Sequence, residues 1–305
     1  MKRIEDGAEK GGEVGRPRGL RRWLGAVGLA LGLAGPASAQ TGRAPALATS
    51  RAAFAAGPVR VYAVSATGHA LGFVVPQVQL ADAALARRLN LLLARRIVAA
   101  NADVDSLASP ARQVQLAARE CCYDPETRRW EGNHGLTGCD YEVLLNQGGL
   151  LSLEISLEFT GAYSWEKTEH LTLDLRTGRL LTLADVVADP AARLSERMRG
   201  AVNRRLSDEF KQLQQNYAGD SALLELATEQ FGWNQATHRT DVGAQADLTE
   251  FALTPGKLLL FYRVGFPHVV QNLEPDNTYR FAYGTLQVQP RLRAALARPA
   301  ASPKK

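Results

Sequence analysis

Leu151-Ser152-Leu153-Glu154-Ile155-Ser156-Leu157-Glu158-Phe159 decides the fold class of this 305-residue chain. Every odd position is apolar and every even one polar, the period of two that marks a strand with one face buried and one wet. A second run of the same kind, Leu171-Thr172-Leu173-Asp174-Leu175, ends at Arg176-Thr177-Gly178-Arg179. Gly178 can take the positive φ that a tight turn needs. Residues 181–187 then read as a short helical entry, with Thr182 as N-cap and Asp185 three residues on, near the positive end of the helix dipole.

Outward from this centre the other elements follow. Residues 59–64 and 71–75 read as a hairpin around Thr67-Gly68-His69, closed by Pro76 ahead of a helix. Residues 82–100 carry Leu85, Leu89, Leu92, Leu93 and Ile97 at helical spacing, with arginines mostly on the other side. Residues 113–123 fit helix or strand equally. Residues 141–146 form a strand that pairs through Gln147-Gly148-Gly149 with 151–159. Residues 191–215 and 223–231 are helices, 232–247 is polar and irregular, and strands follow at 250–253, 257–264 and 279–288, with Pro255-Gly256 as a turn. Hairpin-linked strands with helices set apart predict an α+β fold, mainly antiparallel, in two sub-domains at 58–140 and 141–297.

The N-terminus carries eleven charges in its first 22 residues, ending in Arg21-Arg22. The uncharged stretch 23–35, too short to span a bilayer, comes next, and Pro36-Ala37-Ser38-Ala39 supplies the small residues of a cleavage site. Residues 1–39 are therefore expected to be a signal peptide and Gln40 the mature start, for a periplasmic or secreted protein. Arg21-Arg22 with Leu24 leaves twin-arginine export open beside the general route. Residues 40–57, rich in Ala, Gly and Pro, read as a tether, and 298–305 as a disordered tail. The first 39 residues hold seven Lys+Arg and four Asp+Glu of totals of 36 and 31, leaving 29 against 27. The basic balance of the chain thus belongs to the leader, and nucleic-acid binding loses its electrostatic support. No later stretch approaches membrane-spanning length, so no membrane span is expected in the mature chain.

Three cysteines permit one internal disulfide and one remaining thiol. Cys121 and Cys122 are adjacent, so on a strand only one of them can reach Cys139 across the turn-rich loop between. The expected bond is Cys122–Cys139, with Cys121–Cys139 as the alternative, closing a loop worth about 3 kcal/mol. A metal site joining these cysteines to His134 matches no standard zinc spacing.

The order of these elements, with Phe73-Val74-Val75-Pro76, Gly161-Ala162-Tyr163, the Asp174-x-x-Thr177-Gly178 turn and Leu181-Thr182-Leu183-Ala184-Asp185-Val186-Val187, resembles the exported domain pair of RsiV-like proteins over about residues 58–297. That family includes the ectodomain of a lysozyme-sensing anti-sigma factor and the non-catalytic N-terminal region of a peptidoglycan deacetylase. The resemblance implies an α+β domain outside the cytoplasm and, as for some members of the family, a binding role toward a lysozyme-like protein or cell-wall glycan. Two departures stand out. Tyr163 occupies the place where the family commonly has His, and the chain carries neither the sensor's transmembrane helix nor a deacetylase domain. No catalytic residue carries over.

Enzymatic motifs are absent. Glu154 and Glu158 share a strand face about 13 Å apart, too far for a glycosidase pair. His69, His134, His170, His238 and His268 show neither His-x-x-x-His nor His-Glu-x-x-His spacing. Neither a nucleophile elbow nor a phosphate loop is present. No cofactor is expected. Two surfaces are candidates for binding: Tyr163 and Trp165 between strands, and Phe266 and His268 with Glu274 in the excursion before the last strand. The chain reads as a non-catalytic binding module of the cell envelope. An envelope hydrolase without a recognisable motif, or a structural envelope component, is the alternative.

Overall fold

The computed structural model describes residues 58–66, 72–98, 108–130, 134–240, 248–266 and 273–296, all within a compact unit of residues 52–305. The expected leader, tether and tail lie outside the described residues, as do His69 and His268. Among the described residues no helix is long and apolar enough to cross a membrane.

The fold is α+β with antiparallel sheets. Strands β1 (Arg60–Ser65) and β2 (Val74–Gln79) form a hairpin, and helix α1 (Ala83–Val98) follows. Pro76 does not end the strand as its chemistry suggested. It pairs with Ala63 inside β2, and because Phe73 O accepts the Ala66 N–H from the β1 side at 3.3 Å, alternation turns the peptide groups of position 76 away from that ladder, where no N–H is needed for it. Asp82 caps α1, its Oδ1 accepting from the Ala84 and Leu85 N–H groups at 3.0 Å. The ambiguous segment is helix α2 (Pro110–Cys122), entered through Ser109 with Pro110 in the first turn, where a missing N–H costs nothing.

The central sheet has the order β3-β4-β5-β6: β3 (Gly135–Gln147), β4 (Leu150–Thr160), β5 (Ser164–Asp174) and β6 (Arg179–Leu180). The period-two run is β4. Its Leu151, Leu153, Ile155 and Leu157 join Leu171 and Leu173 of β5 in a cluster with Leu89, Leu93 and Val114 of the two helices. Each such burial contributes roughly 1.5–3 kcal/mol. Gly178 makes the β5–β6 turn at φ +64°, and a Cβ there would lie 2.5 Å from Leu85 Cδ1, so the turn also lets the sheet approach α1. The expected division between residues 140 and 141 falls inside β3.

Helix α3 (Leu183–Val186) starts at Thr182, whose N–H and hydroxyl both donate to Asp185 Oδ2 at 3.0 and 2.9 Å. Helix α4 (Ala191–Asn216) and α5 (Ser221–Gln230) follow, then a small hairpin of β7 (Trp233–Asn234) and β8 (Arg239–Thr240) within the stretch expected to be irregular. A three-stranded sheet of order β11-β10-β9 comes from β9 (Phe251–Thr254), β10 (Lys257–Phe261) and β11 (Thr278–Ala282). The last strand is shorter than expected: a 3-10 turn at Tyr283–Thr285 and helix α6 (Pro290–Leu296) take its place. These later elements gather Met198, Phe210, Phe231 and Leu258 into a second cluster with Leu145 and Leu150 of the central sheet. The two sheets are joined at Ser152, buried, which bonds Thr172 Oγ1 at 3.0 Å and accepts the Leu253 N–H at 3.0 Å.

Candidate functional site

Strands β4 and β5 pair without interruption from Leu150↔Asp174 to Thr160↔Ser164. Such a long ladder carries the three-residue turn Gly161-Ala162-Tyr163 well out from the clusters, closed by Gly161 N–H donating to Tyr163 O at 3.2 Å. Tyr163 is 82% exposed and Trp165 53% exposed. Trp165 is not loose: its ring stacks on cross-strand Phe159, centroids 4.1 Å apart and planes 7° from parallel. One indole face is thus covered and the other presented. Behind it on the same face of β5 come Lys167 and Glu169, joined Nζ to Oε1 at 2.6 Å, and Glu169 also accepts Arg96 Nε at 3.1 Å.

The opposite face of β5 turns Glu166, Thr168 and His170 toward β9 and β10. There, with Phe261, Arg263 and Glu250, they line a cavity of about 680 Å3. His170 lies at its floor with a side chain only 4% exposed. Its Nδ1 is 2.8 Å from Glu250 Oε1, its Nε2 is 3.1 Å from Glu154 Oε2, and its ring stacks on Phe261 at 3.7 Å. The trio ties the central sheet to the start of β9, and both ring nitrogens are already engaged. Among the described residues no set of three or more His, Cys, Asp or Glu is arranged to hold a metal ion.

The structure places the residues of the two expected surfaces differently. Tyr163 and Trp165 stand together at the hairpin tip. Phe266 is buried, 7% exposed, edge-on to Phe231 at 4.9 Å, and packs in the later cluster. Glu274 accepts the Gly265 N–H at 2.8 Å and holds a turn, while His268 is outside the described residues.

The expected Cys122–Cys139 bond is not formed. Residues 110–122 are helical, and the sulfurs in bonding contact are those of Cys121 and Cys122, with Cys139 a buried free thiol. Cys139 is engaged by β2 instead: its N–H donates to Gly72 O at 2.8 Å and its Sγ to Val74 O at 3.6 Å. Burial pushes its thiol pKa up to about 12.

Sequence reasoning missed Glu154, His170 and Glu250 as a group. A signal was present: a hairpin centred on residue 162 puts 154 opposite 170, the observed register. Glu250 could not be found that way, because it arrives from another sheet.

No family model and no curated protein matches the chain. Among solved structures it is similar to a DUF3298 family protein from Pseudomonas aeruginosa PAO1, at 14% identity and a TM-score of 0.39 over 77% of this chain and 93% of that one. It is likewise similar to a DUF3298 family member from Bacteroides fragilis NCTC 9343, at 16% identity and a TM-score of 0.40 over 78% and 96%. Neither likeness enters the functional reading.

Proposed function

We propose that this chain is a non-catalytic binding module of the cell envelope, exported by its N-terminal segment and working in the periplasm or outside the cell. The observation that carries the reading is the β4–β5 hairpin tip, where Tyr163 is 82% exposed beside a half-exposed, pre-stacked Trp165. Large aromatic rings held rigidly in water forgo burial energy, and they recover it when a partner covers them. Sugar rings and protein surfaces both use such platforms. The motif resemblance to RsiV-like proteins adds the ligand class, a cell-wall glycan or a lysozyme-like protein. The hydrolase alternative finds less support, since the imidazole in the nearby cavity has both nitrogens engaged by carboxylates.

Calorimetric titration of the purified chain with soluble peptidoglycan fragments, and separately with lysozyme, tests the reading. One of the two should bind, and Tyr163→Ala should weaken it by about 2 kcal/mol with an unchanged melting temperature. Absence of binding by both, or binding indifferent to Tyr163→Ala, overturns it.

A further inference from the structure

We propose that β5 is a self-pairing edge, through which two copies of this chain join their central sheets about a two-fold axis at Thr168. The proposal begins with the backbone. Along one side β5 is paired with β4 over its whole length, but on the other β6 covers only Leu173 and Asp174, and Leu181 N–H reaches Thr172 O at 2.8 Å. Thr172 thus points its peptide groups outward, and strand alternation makes Glu166, Thr168 and His170 do the same. Among the described residues nothing pairs with these three N–H and three C=O groups. An open edge of this kind is a template for another strand.

The side chains specify which strand. The free stretch is bounded by Leu181 at one end and the hairpin turn at the other, so an antiparallel second copy centres on Thr168. In Trp165-Glu166-Lys167-Thr168-Glu169-His170-Leu171 that register sets Lys167 opposite Glu169 of the second copy, Glu166 opposite its His170, and Trp165 opposite its Leu171. Acid meets base at Lys167 and Glu169, apolar meets apolar at Trp165 and Leu171, and Thr168 meets itself. All six outward backbone groups find partners.

A feature outside the strand agrees. Leu171 opens onto a groove of about 560 Å3 lined by Leu91, Leu92, Leu180, Arg88 and Arg95, in which Leu180 is 39% exposed. Trp165 projects from the same face as Leu171, so the uncovered indole of each copy meets the groove of the other. The two Tyr163 tips then lie at opposite ends of the joint, ~34 Å apart along the strands. This reading shares β5 with the proposed function but assigns Trp165 to the second copy and leaves Tyr163 for the ligand.

Sedimentation velocity of the purified chain over a concentration series is the test. The chain should be a dimer at high concentration. Lys167→Glu and Glu169→Lys should each weaken self-association about tenfold or more, because each places like charges opposite one another twice. Mixing the two variants should restore a heterodimer, since their charges then match. Thr168→Pro deletes one outward N–H and leaves the β4–β5 ladder whole, so it should give a folded monomer with an unshifted melting temperature. A wild-type chain that stays monomeric, a dimer indifferent to these changes, or an edge that takes up only a foreign extended peptide overturns the proposal. Ligand titration on the Lys167→Glu monomer separates the two readings: retained binding that depends on Tyr163 leaves the proposed function standing whatever the fate of the dimer.

Discussion

Phe159 and Trp165 face each other across β4 and β5 as a parallel stack, 4.1 Å between centroids, near the end of the hairpin. The contact holds an indole rigid without burying it. Replacement by alanine therefore removes a cross-strand aromatic pair and only part of a burial. Trp165→Ala should lower stability by about 1 kcal/mol in urea unfolding. A loss of about 3–5 kcal/mol, the cost of emptying a core site, would show the ring to be packing instead.

His170 has the opposite character, a buried polar ring whose partners come from two sheets. His170→Ala leaves Glu154 and Glu250 facing a void beneath Phe261 without a donor between them. The expected destabilisation is about 2–4 kcal/mol by chemical denaturation. Glu154→Gln with Glu250→Gln in the His170→Ala background should recover part of it, because neutral amides tolerate the site better than two carboxylates. No recovery would mean that the loss is one of packing alone.

Asp185 gives the acid limb of stability. Hydrogen bonding from the Thr182 N–H, helped by the Thr182 hydroxyl, Arg291 and Arg179, lowers its pKa from 3.8 to about 2. A depressed carboxylate stabilises the fold above its unfolded pKa, and that contribution is lost as pH falls through the interval from 3.8 to about 2. Asp185→Asn should be less stable than wild type at neutral pH and should show a flatter decline across that interval. Parallel melting curves for the two proteins from neutral to acid pH would refute the assignment.

The cysteine arrangement is open to peptide mapping. A Cys121–Cys122 bond keeps both sulfurs in one tryptic peptide, lighter by two hydrogens than its reduced form, whereas Cys122–Cys139 would cross-link two peptides across Arg128 and Arg129. Cys139, its pKa held at about 12 by burial, should resist alkylation in the native protein and react on unfolding. A cross-linked pair of peptides containing Cys139 would reinstate the bond expected from the sequence.

What the chain states locally, it states clearly. The alternation in 151–159, the glycine at the β5–β6 turn, the Thr182 and Asp185 cap and the leucine spacing of α1 were all legible, because each depends on residues within a few positions of one another. The α+β class follows from them. The structure alone decided what rests on residues far apart in the chain or lacking a periodic signal. Ser164-Trp165-Glu166-Lys167-Thr168 is exposed on both faces, so no alternation announced that β5 begins there, and its open edge depends on where β6 stops. Phe266 looked like a loop aromatic until Phe231 was seen against it. Pro76 looked like a strand end until the ladder showed which side its missing N–H could face. His170 stood out in the sequence only as one of five histidines without metal-site spacing, and the packing of β9 and β10 against the central sheet placed Glu250 and Phe261 around it. Local sterics and hydrophobic period act through neighbours in sequence, while burial and ion pairing act through neighbours in space, and the chain alone does not list those.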